Sequence, residues 1–333
     1  MFKFFKYMIY ILLLAAVLLF VYLFVGRTTP ADKISWGVDF SKEYAEGFGL
    51  NWKDVYLGIL DDLGVKHIKL AAQWDLIEPK KDKYDFNDLD FEVREAEERN
   101  VGLIMVLGIK TPRWPECHVP GWASSMSPEE RDGEVLKAMG VVVKRYKNSP
   151  AVTMWQVENE PFFPFGNCLA RSDGYLEREI ALVKGLDAGR KVLISDTGEW
   201  SLWFRAAKAG DIVGATLYRR AWFGPLKEYV SYPFTPVYYA RRALLIKWFF
   251  GKDVINIEYQ AEPWSNISVK DLSPEERDKT MTHDLFKSDI EFAKKTGFNE
   301  FYFWGVEWWY WVKTKQGDGF YWDEARNIIK GNQ

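Results

Sequence analysis

Cysteine is almost absent from this chain. The 333 residues contain two, Cys117 and Cys168, at no CxxC or metal-ligand spacing, which excludes a zinc ribbon or a disulfide-dense scaffold. Histidine is as scarce, with three in all and no acid–His ligand spacing, so no metal is expected. Neither sign of charge predominates. Lys and Arg number 44 against 47 Asp and Glu, a net charge of -3 with no basic stripe, and nucleic acid is not an expected partner. No G-x-G-x-x-G turn follows the first apolar strand, which removes a dinucleotide fold and leaves no cofactor to expect. Internal repeats and low-complexity tracts are also missing.

One long apolar run is present. Residues 7–25 carry no charge and only three tyrosines as mildly polar members. At about 1.5 Å per residue a helix over this run is about 28 Å long, close to the roughly 30 Å hydrocarbon layer. A cleavable signal peptide has a shorter apolar region and a small-x-small site. Phe24-Val25-Gly26-Arg27 offers none, so residues 1–26 read as an uncleaved signal anchor, with the lipid bilayer as partner through 7–25. Lys3 and Lys6 before the run place the N-terminus in the cytoplasm and the body outside, as a single-pass, extracytoplasmic catalytic domain, although Arg27 and Lys33 oppose that bias. Residues 27–33 form a short polar linker, and 34–333 are long enough for one barrel domain.

From residue 34 onward, short β-rich apolar runs alternate with amphipathic stretches, the pattern of βαβ units around a parallel sheet. Strands are expected at 34–40, 67–72, 102–108, 152–157, 191–195, 212–217, 254–258 and 300–304. Helices are expected at 52–63, 86–100, 128–146, 175–186, 203–209, 236–250, 274–296 and 323–329. Ser127-Pro128-Glu129-Glu130 and Ser273-Pro274-Glu275-Glu276 are helix starts, with a capping Ser and Pro in the first turn. Eight such units give an α/β class and a (β/α)8 TIM barrel, with an open doubly wound sheet as the alternative.

In such barrels chemistry gathers at the C-terminal ends of the strands. Here those ends are rich in acids and aromatics. The first ends in Asp39-Phe40, the second runs into Gln73-Trp74, and the third leads through Arg113 and Trp114 to Glu116-Cys117-His118. The fourth ends Glu158-Asn159-Glu160-Pro161, the fifth reaches Glu199, the sixth Tyr218-Arg219, the seventh Glu258 followed by Glu262-Pro263-Trp264, and the eighth Trp304 followed by Glu307-Trp308-Trp309. Acids ending the fourth and seventh strands lie across a barrel mouth and can face one sugar. Glycoside hydrolysis needs such a pair, one to protonate the leaving oxygen and one to attack the anomeric carbon.

Trp155-Gln156-Val157-Glu158-Asn159-Glu160-Pro161 resembles the Asn-Glu-Pro motif of clan A glycoside hydrolases, the cellulase-, mannanase- and β-galactosidase-like barrels. The resemblance extends to the strand-seven Glu, to Trp304, and to Trp74…Ile77-Glu78-Pro79 with Tyr84-Asp85-Phe86. It implies a carbohydrate substrate with a β linkage and retention by double displacement. Glu160 would be acid/base and Glu258 nucleophile. Asn159 would bind the sugar 2-hydroxyl, Tyr218 would hold the nucleophile, and Trp304 would form a platform under the sugar. One position departs from the clan. Many members carry Arg at the end of strand two, where Lys69 stands nearest; Arg219 or Arg113 takes its place, or the alignment shifts there.

Other residues have two readings. Glu262 competes with Glu258 as nucleophile, or binds a sugar hydroxyl or braces its loop. Glu158 reads as a structural ion-pair partner, and Glu199 and Glu307 as hydroxyl ligands or loop caps. His118 would bond either substrate or its own loop. Asp39, Trp74 and Trp264 join the substrate-binding set. Trp304 and Trp264 are the preferred platforms in a chain with sixteen Trp, whereas Trp309 and Trp311 read as core. Cys117 and Cys168 follow adjacent strands, so a disulfide is expected. The rival functions are a non-catalytic, surface-anchored carbohydrate-binding barrel and a transglycosidase of envelope glycans.

Overall fold

The computed structural model describes residues 2–331; Met1, Asn332, Gln333 and the side chains of Phe2 and Lys3, on which parts of the expected segment limits and orientation fall, lie outside the described residues. Helix α1 (Phe2–Phe24) is continuous, and from Phe4 to Val21 its side chains are exposed. It is long and apolar enough to cross a membrane by length and composition. Among the described residues of α1, the last turn alone meets the body. Leu23 is buried there, and the Phe24 ring stacks on Tyr238 at 5.0 Å.

In chain order the body runs β1 (Ser35–Phe40), α2 (Lys42–Gly47), α3 (Trp52–Gly58), β2 (His67–Ala71), α4 (Trp74–Ile77), α5 (Asn87–Glu98), β3 (Gly102–Leu107), α6 (Pro128–Tyr146) and β4 (Val152–Val157). It continues α7 (Tyr175–Leu186), β5 (Lys191–Asp196), α8 (Phe204–Ala209), β6 (Ile212–Leu217), β7 (Arg220–Phe223), β8 (Glu228–Ser231), α9 (Pro236–Phe250) and β9 (Val254–Gln260). The last elements are α10 (Pro274–Asp278), α11 (His283–Lys295), β10 (Glu300–Trp304), α12 (Val306–Lys315) and α13 (Phe320–Gly331). Eight strands close a parallel barrel in the order β1-β10-β9-β6-β5-β4-β3-β2, with β1 and β10 paired from Ser35↔Glu300. The eight expected strands are these eight.

Branched apolar side chains fill the barrel. Ile104, Leu193, Ile212, Ile255, Ile257 and Tyr302 form a cluster inside it, and the larger core lies between strands and helices. Gly214 makes room for this filling, because a Cβ there would stand 2.7 Å from both Ile257 and Leu193. On β9 the ladder skips one residue against both neighbours: Ala215↔Asn256 is followed by Thr216↔Glu258, and Phe301↔Asn256 by Phe303↔Tyr259. Ile257 is the extra residue of a β-bulge. Strict alternation after the inward Ile257 would turn Glu258 to the helix layer; the bulge keeps both on the inner side.

Besides the short helices α2 and α4, three features depart from the expected elements. The helix expected at 274–296 is broken into α10 and α11, because Thr280 turns inward to accept from the Trp264 N–H and Thr282 caps α11 through the Leu285 N–H. The chain after β10 is helical, and α12 buries Trp308 and Trp309 completely, with the Trp309 indole donating to Ala261 O at 2.7 Å. After β6 comes a β7–β8 hairpin too short to stand out in the sequence, held by Trp222 against Tyr229. Cys117 and Cys168 are joined in a disulfide that ties the β3–α6 and β4–α7 loops together.

Candidate active site

The end of β4 carries two residues in left-handed backbone, Glu158 (φ 58) and Glu160 (φ 44). Such a conformation costs a non-glycine residue on the order of 1–3 kcal/mol. Contacts hold it in place. The Glu158 carboxylate accepts the backbone N–H groups of Ile109 (3.0 Å) and Lys110 (2.6 Å) and pairs with Arg171 at 2.7 Å. The Glu160 N–H donates to Ser195 Oγ at 2.7 Å, and the Thr216 hydroxyl donates to Glu160 Oε1 at 2.9 Å. Burial pushes the Glu160 carboxyl well above the usual range, and the charges of Glu258 and Glu116 push it further.

Glu258, set inward by the bulge on β9, receives two donors. Lys69 Nζ lies 2.9 Å from Oε1, and the Tyr218 hydroxyl donates to Oε2 at 3.0 Å. Lys69 also donates to Ile257 O and ion-pairs with Asp39 at 2.9 Å, so one buried ammonium serves two carboxylates. Burial pulls the Lys69 ammonium down, yet the attraction of Asp39 and Glu258 outweighs it and the net shift is upward. Burial raises Asp39 well above its ordinary value despite Lys69. Of the three cations considered from the sequence, Lys69 is the one that meets Glu258. Arg219 pairs with Asp289, and Arg113 with Glu262 (2.6 Å) and Glu307 (2.8 Å).

Asn159 is held from both ends. Its Oδ1 accepts from Gln156 at 3.1 Å and its Nδ2 donates to Glu116 at 3.3 Å. Glu116 has no role evident from the sequence. It is a third buried acid, raised to about 7 by burial and then by the charge of Glu258. Its one signal in the sequence is its place beside Cys117, whose disulfide fixes the loop. Glu199, also raised to about 7 by burial, accepts from the Tyr218 N–H (3.0 Å) and the Tyr239 hydroxyl (3.1 Å).

These groups face one cleft. Glu116, Asn159, Glu160, Glu199, Tyr218 and Glu258 line it, walled by aromatics that include Trp200, Trp222, Trp264 and Trp304. Trp304 also lines a second chamber, with Asp39, Glu43, Lys69, Gln73 and Arg113. The Arg113 guanidinium lies 3.9 Å from the Trp304 ring centre.

Three residues expected to meet substrate, Trp74, His118 and Glu262, line neither chamber. Trp74 is fully buried, its indole donating to Glu78 at 2.8 Å and its ring edge-on to Trp122, because α4 turns it into the core. His118 is buried in its own loop, against Gln73 (3.2 Å) and Arg113 O (3.2 Å). Glu262 and Glu307 are tied up by Arg113, with Glu307 also accepting the Ser41 N–H. Trp311 is half-buried against Phe48.

No family model matches the chain. Among curated proteins it is similar to β-galactosidase BgaA of Clostridium cellulovorans, 25% identical over 191 residues that cover 50% of this chain and 28% of that protein. It is also similar to a probable mannan endo-1,4-β-mannosidase A of Aspergillus niger, 28% identical over 120 residues, 33% of this chain and 30% of that one. The matched stretches span 22% to 30% of the curated relatives' length. Of solved structures, a β-galactosidase from Halorubrum lacusprofundi superposes with TM-score 0.58 at 13% identity, covering 90% of this chain and 58% of that one. Xylanase 10B of Thermotoga maritima does so with TM-score 0.58 at 16% identity, covering 90% and 94%. These superpositions carry the fold. Together with the curated relatives they relate the chain to the clan A glycoside hydrolases.

Proposed function

We propose that this chain is a retaining glycoside hydrolase that cleaves β-glycosidic bonds of oligo- or polysaccharides, with Glu160 as acid/base and Glu258 as nucleophile. The observation that carries the reading is the unequal treatment of two carboxyls in one cleft. Glu160 is buried and pushed toward its neutral form, while Glu258 receives an ammonium and a hydroxyl. Separating two carboxyls in this way supports Glu160 as the acid and Glu258 as the nucleophile.

In the first step Glu258 attacks the anomeric carbon as Glu160 gives its proton to the glycosidic oxygen, and the alcohol leaves. The Glu258 charge is consumed in the ester, which removes part of what kept Glu160 protonated. Glu160, now a carboxylate, takes a proton from water as that water attacks the same carbon and frees Glu258. Thr216 occupies Oε1 of Glu160, leaving Oε2 to carry the transferred proton. Asn159, steadied by Glu116 and Gln156, is placed to meet the sugar 2-hydroxyl.

α1 serves as a single-pass anchor with the barrel outside the cytoplasm. The Cys117–Cys168 disulfide supports that side, since disulfides persist in oxidising compartments. Glu258→Ala tests the mechanism: turnover of an aryl β-glycoside should vanish and return in part with azide, giving a glycosyl azide of inverted configuration. Wild-type turnover by this variant refutes the nucleophile. A release screen over defined β-linked oligosaccharides identifies the sugar, and glycan binding without turnover on any of them refutes the hydrolase reading in favour of a binding barrel.

A further inference from the structure

Of the twelve large apolar side chains exposed outside α1 among the described residues, six gather in one region: Leu244, Trp248 and Phe249 on α9, Trp200 and Leu202 between β5 and α8, and Phe204 at the start of α8. Trp248 is 79% and Phe249 65% exposed, values at odds with a surface meant for water. They are contiguous. Phe204 meets Phe249 edge-on at 6.1 Å, and Phe249 stacks on Trp248 at 5.7 Å.

This patch continues the place where α1 meets the body. Arg241, Leu244, Leu245 and Trp248 follow each other at i, i+3, i+4 and i+7, hence along one face of α9. Arg241 opens that row with its guanidinium 5.0 Å from the Tyr22 ring of α1. A file of rings also leads from α1 to the cleft. Phe24 touches Phe234 (6.4 Å), Phe234 stacks on Tyr232 (6.2 Å), Tyr232 meets Trp200 (5.8 Å) and Trp200 stacks on Phe223 (6.4 Å). Trp200, Phe223 and Tyr232 line the cleft. Indole and aliphatic side chains at the mouth of an apolar helix are the composition that settles at a membrane interface.

We propose that α9 and the β5–α8 segment rest on the bilayer that holds α1, so that the Trp200–Phe223–Tyr232 wall of the cleft opens at the lipid surface and takes a glycan carried there. The proposal rests on α1 being inserted, and its glycan clause on the hydrolase reading above. The test uses the full chain, disulfide intact, reconstituted into vesicles of phosphatidylcholine and phosphatidylglycerol. Trp248→Cys is labelled with an environment-sensitive nitrobenzoxadiazole. The control is Arg94→Cys on α5, which follows β2, across the barrel ring from β6. The label at 248 should emit to the blue and be quenched severalfold by doxyl-labelled lipid, while that at 94 behaves as in water. Equal, water-like labels in a chain that resists carbonate extraction overturn the docking, and a chain that carbonate strips from the vesicles overturns the insertion beneath it. The readout needs no turnover, so an inactive but docked chain refutes only the hydrolase.

Discussion

Lys69→Met isolates the pairing behind the cleft, one buried ammonium between Asp39 and Glu258. Removing one member of a buried ion pair costs about 3–5 kcal/mol, because the partner charge is left uncompensated. Here the cost falls toward the lower figure. Asp39 is already raised by burial, and it takes a proton more readily once Lys69 no longer opposes that shift. A loss of about 3 kcal/mol lowers Tm by roughly 6–12 °C at about 2–4 °C per kcal/mol. Glu258 keeps Tyr218 but loses a charge-assisted hydrogen bond, worth about 1.5–3 kcal/mol. If that contact orients the attacking carboxylate, kcat/KM falls by roughly 10- to 100-fold. The assay is initial rates on an aryl β-glycoside beside a circular dichroism melt. Adding Asp39→Asn should restore much of the melt, since it removes a second buried acid, but not the rate. A kcat/KM within threefold of wild type refutes the claim that Lys69 positions the nucleophile.

Thr216→Val removes the hydroxyl that favours the charged form of Glu160, so the alkaline limb of kcat/KM should move to higher pH; a limb that stays or falls shows that another group sets it. Glu160→Gln should slow substrates with poor leaving groups by several orders of magnitude and those with good leaving groups far less, which a leaving-group series reads directly. Glu92 is buried and raised to about 8, chiefly by desolvation. A raised folded value means that its stabilisation is full below the unfolded carboxyl range and is lost as pH climbs through about 8. Glu92→Gln should therefore flatten the fall of unfolding free energy between pH 5 and 8, by up to about 1.36 kcal/mol per pH unit, as read by denaturant titration, and an unchanged slope refutes the assignment. Opening the disulfide, which closes a stretch of 51 residues, by Cys117→Ala with Cys168→Ala should cost up to about 4 kcal/mol on loop-closure entropy alone, seen as a lower denaturant midpoint.

Much of the fold was legible because strand burial writes itself into composition. Runs such as Leu103-Ile104-Met105-Val106 are buried on both faces of a parallel sheet and so read as continuous apolar segments. Strong caps marked helix starts, as at Ser127 with its reciprocal bond to Glu130. What escaped were short elements with little periodicity, α2, α4 and the β7–β8 hairpin, and the interruption between α10 and α11, where Thr280 turns to the Trp264 N–H and Thr282 caps a new helix.

By itself the sequence determined the number of strands, the acids at the ends of the fourth and seventh, and an apolar N-terminal helix too long for the body to need. Those are properties of local composition and order. Tertiary structure decided which way the acids point and what surrounds them. Whether Glu258 faces the cleft depends on one extra residue in the ladder of β9, and the β9 sequence has the same letters with or without that bulge. Whether Lys69 or an arginine meets it, whether Trp74 is wall or core, and whether Glu116 joins the site depend on distances between strands. A chain read one residue at a time carries no record of those distances.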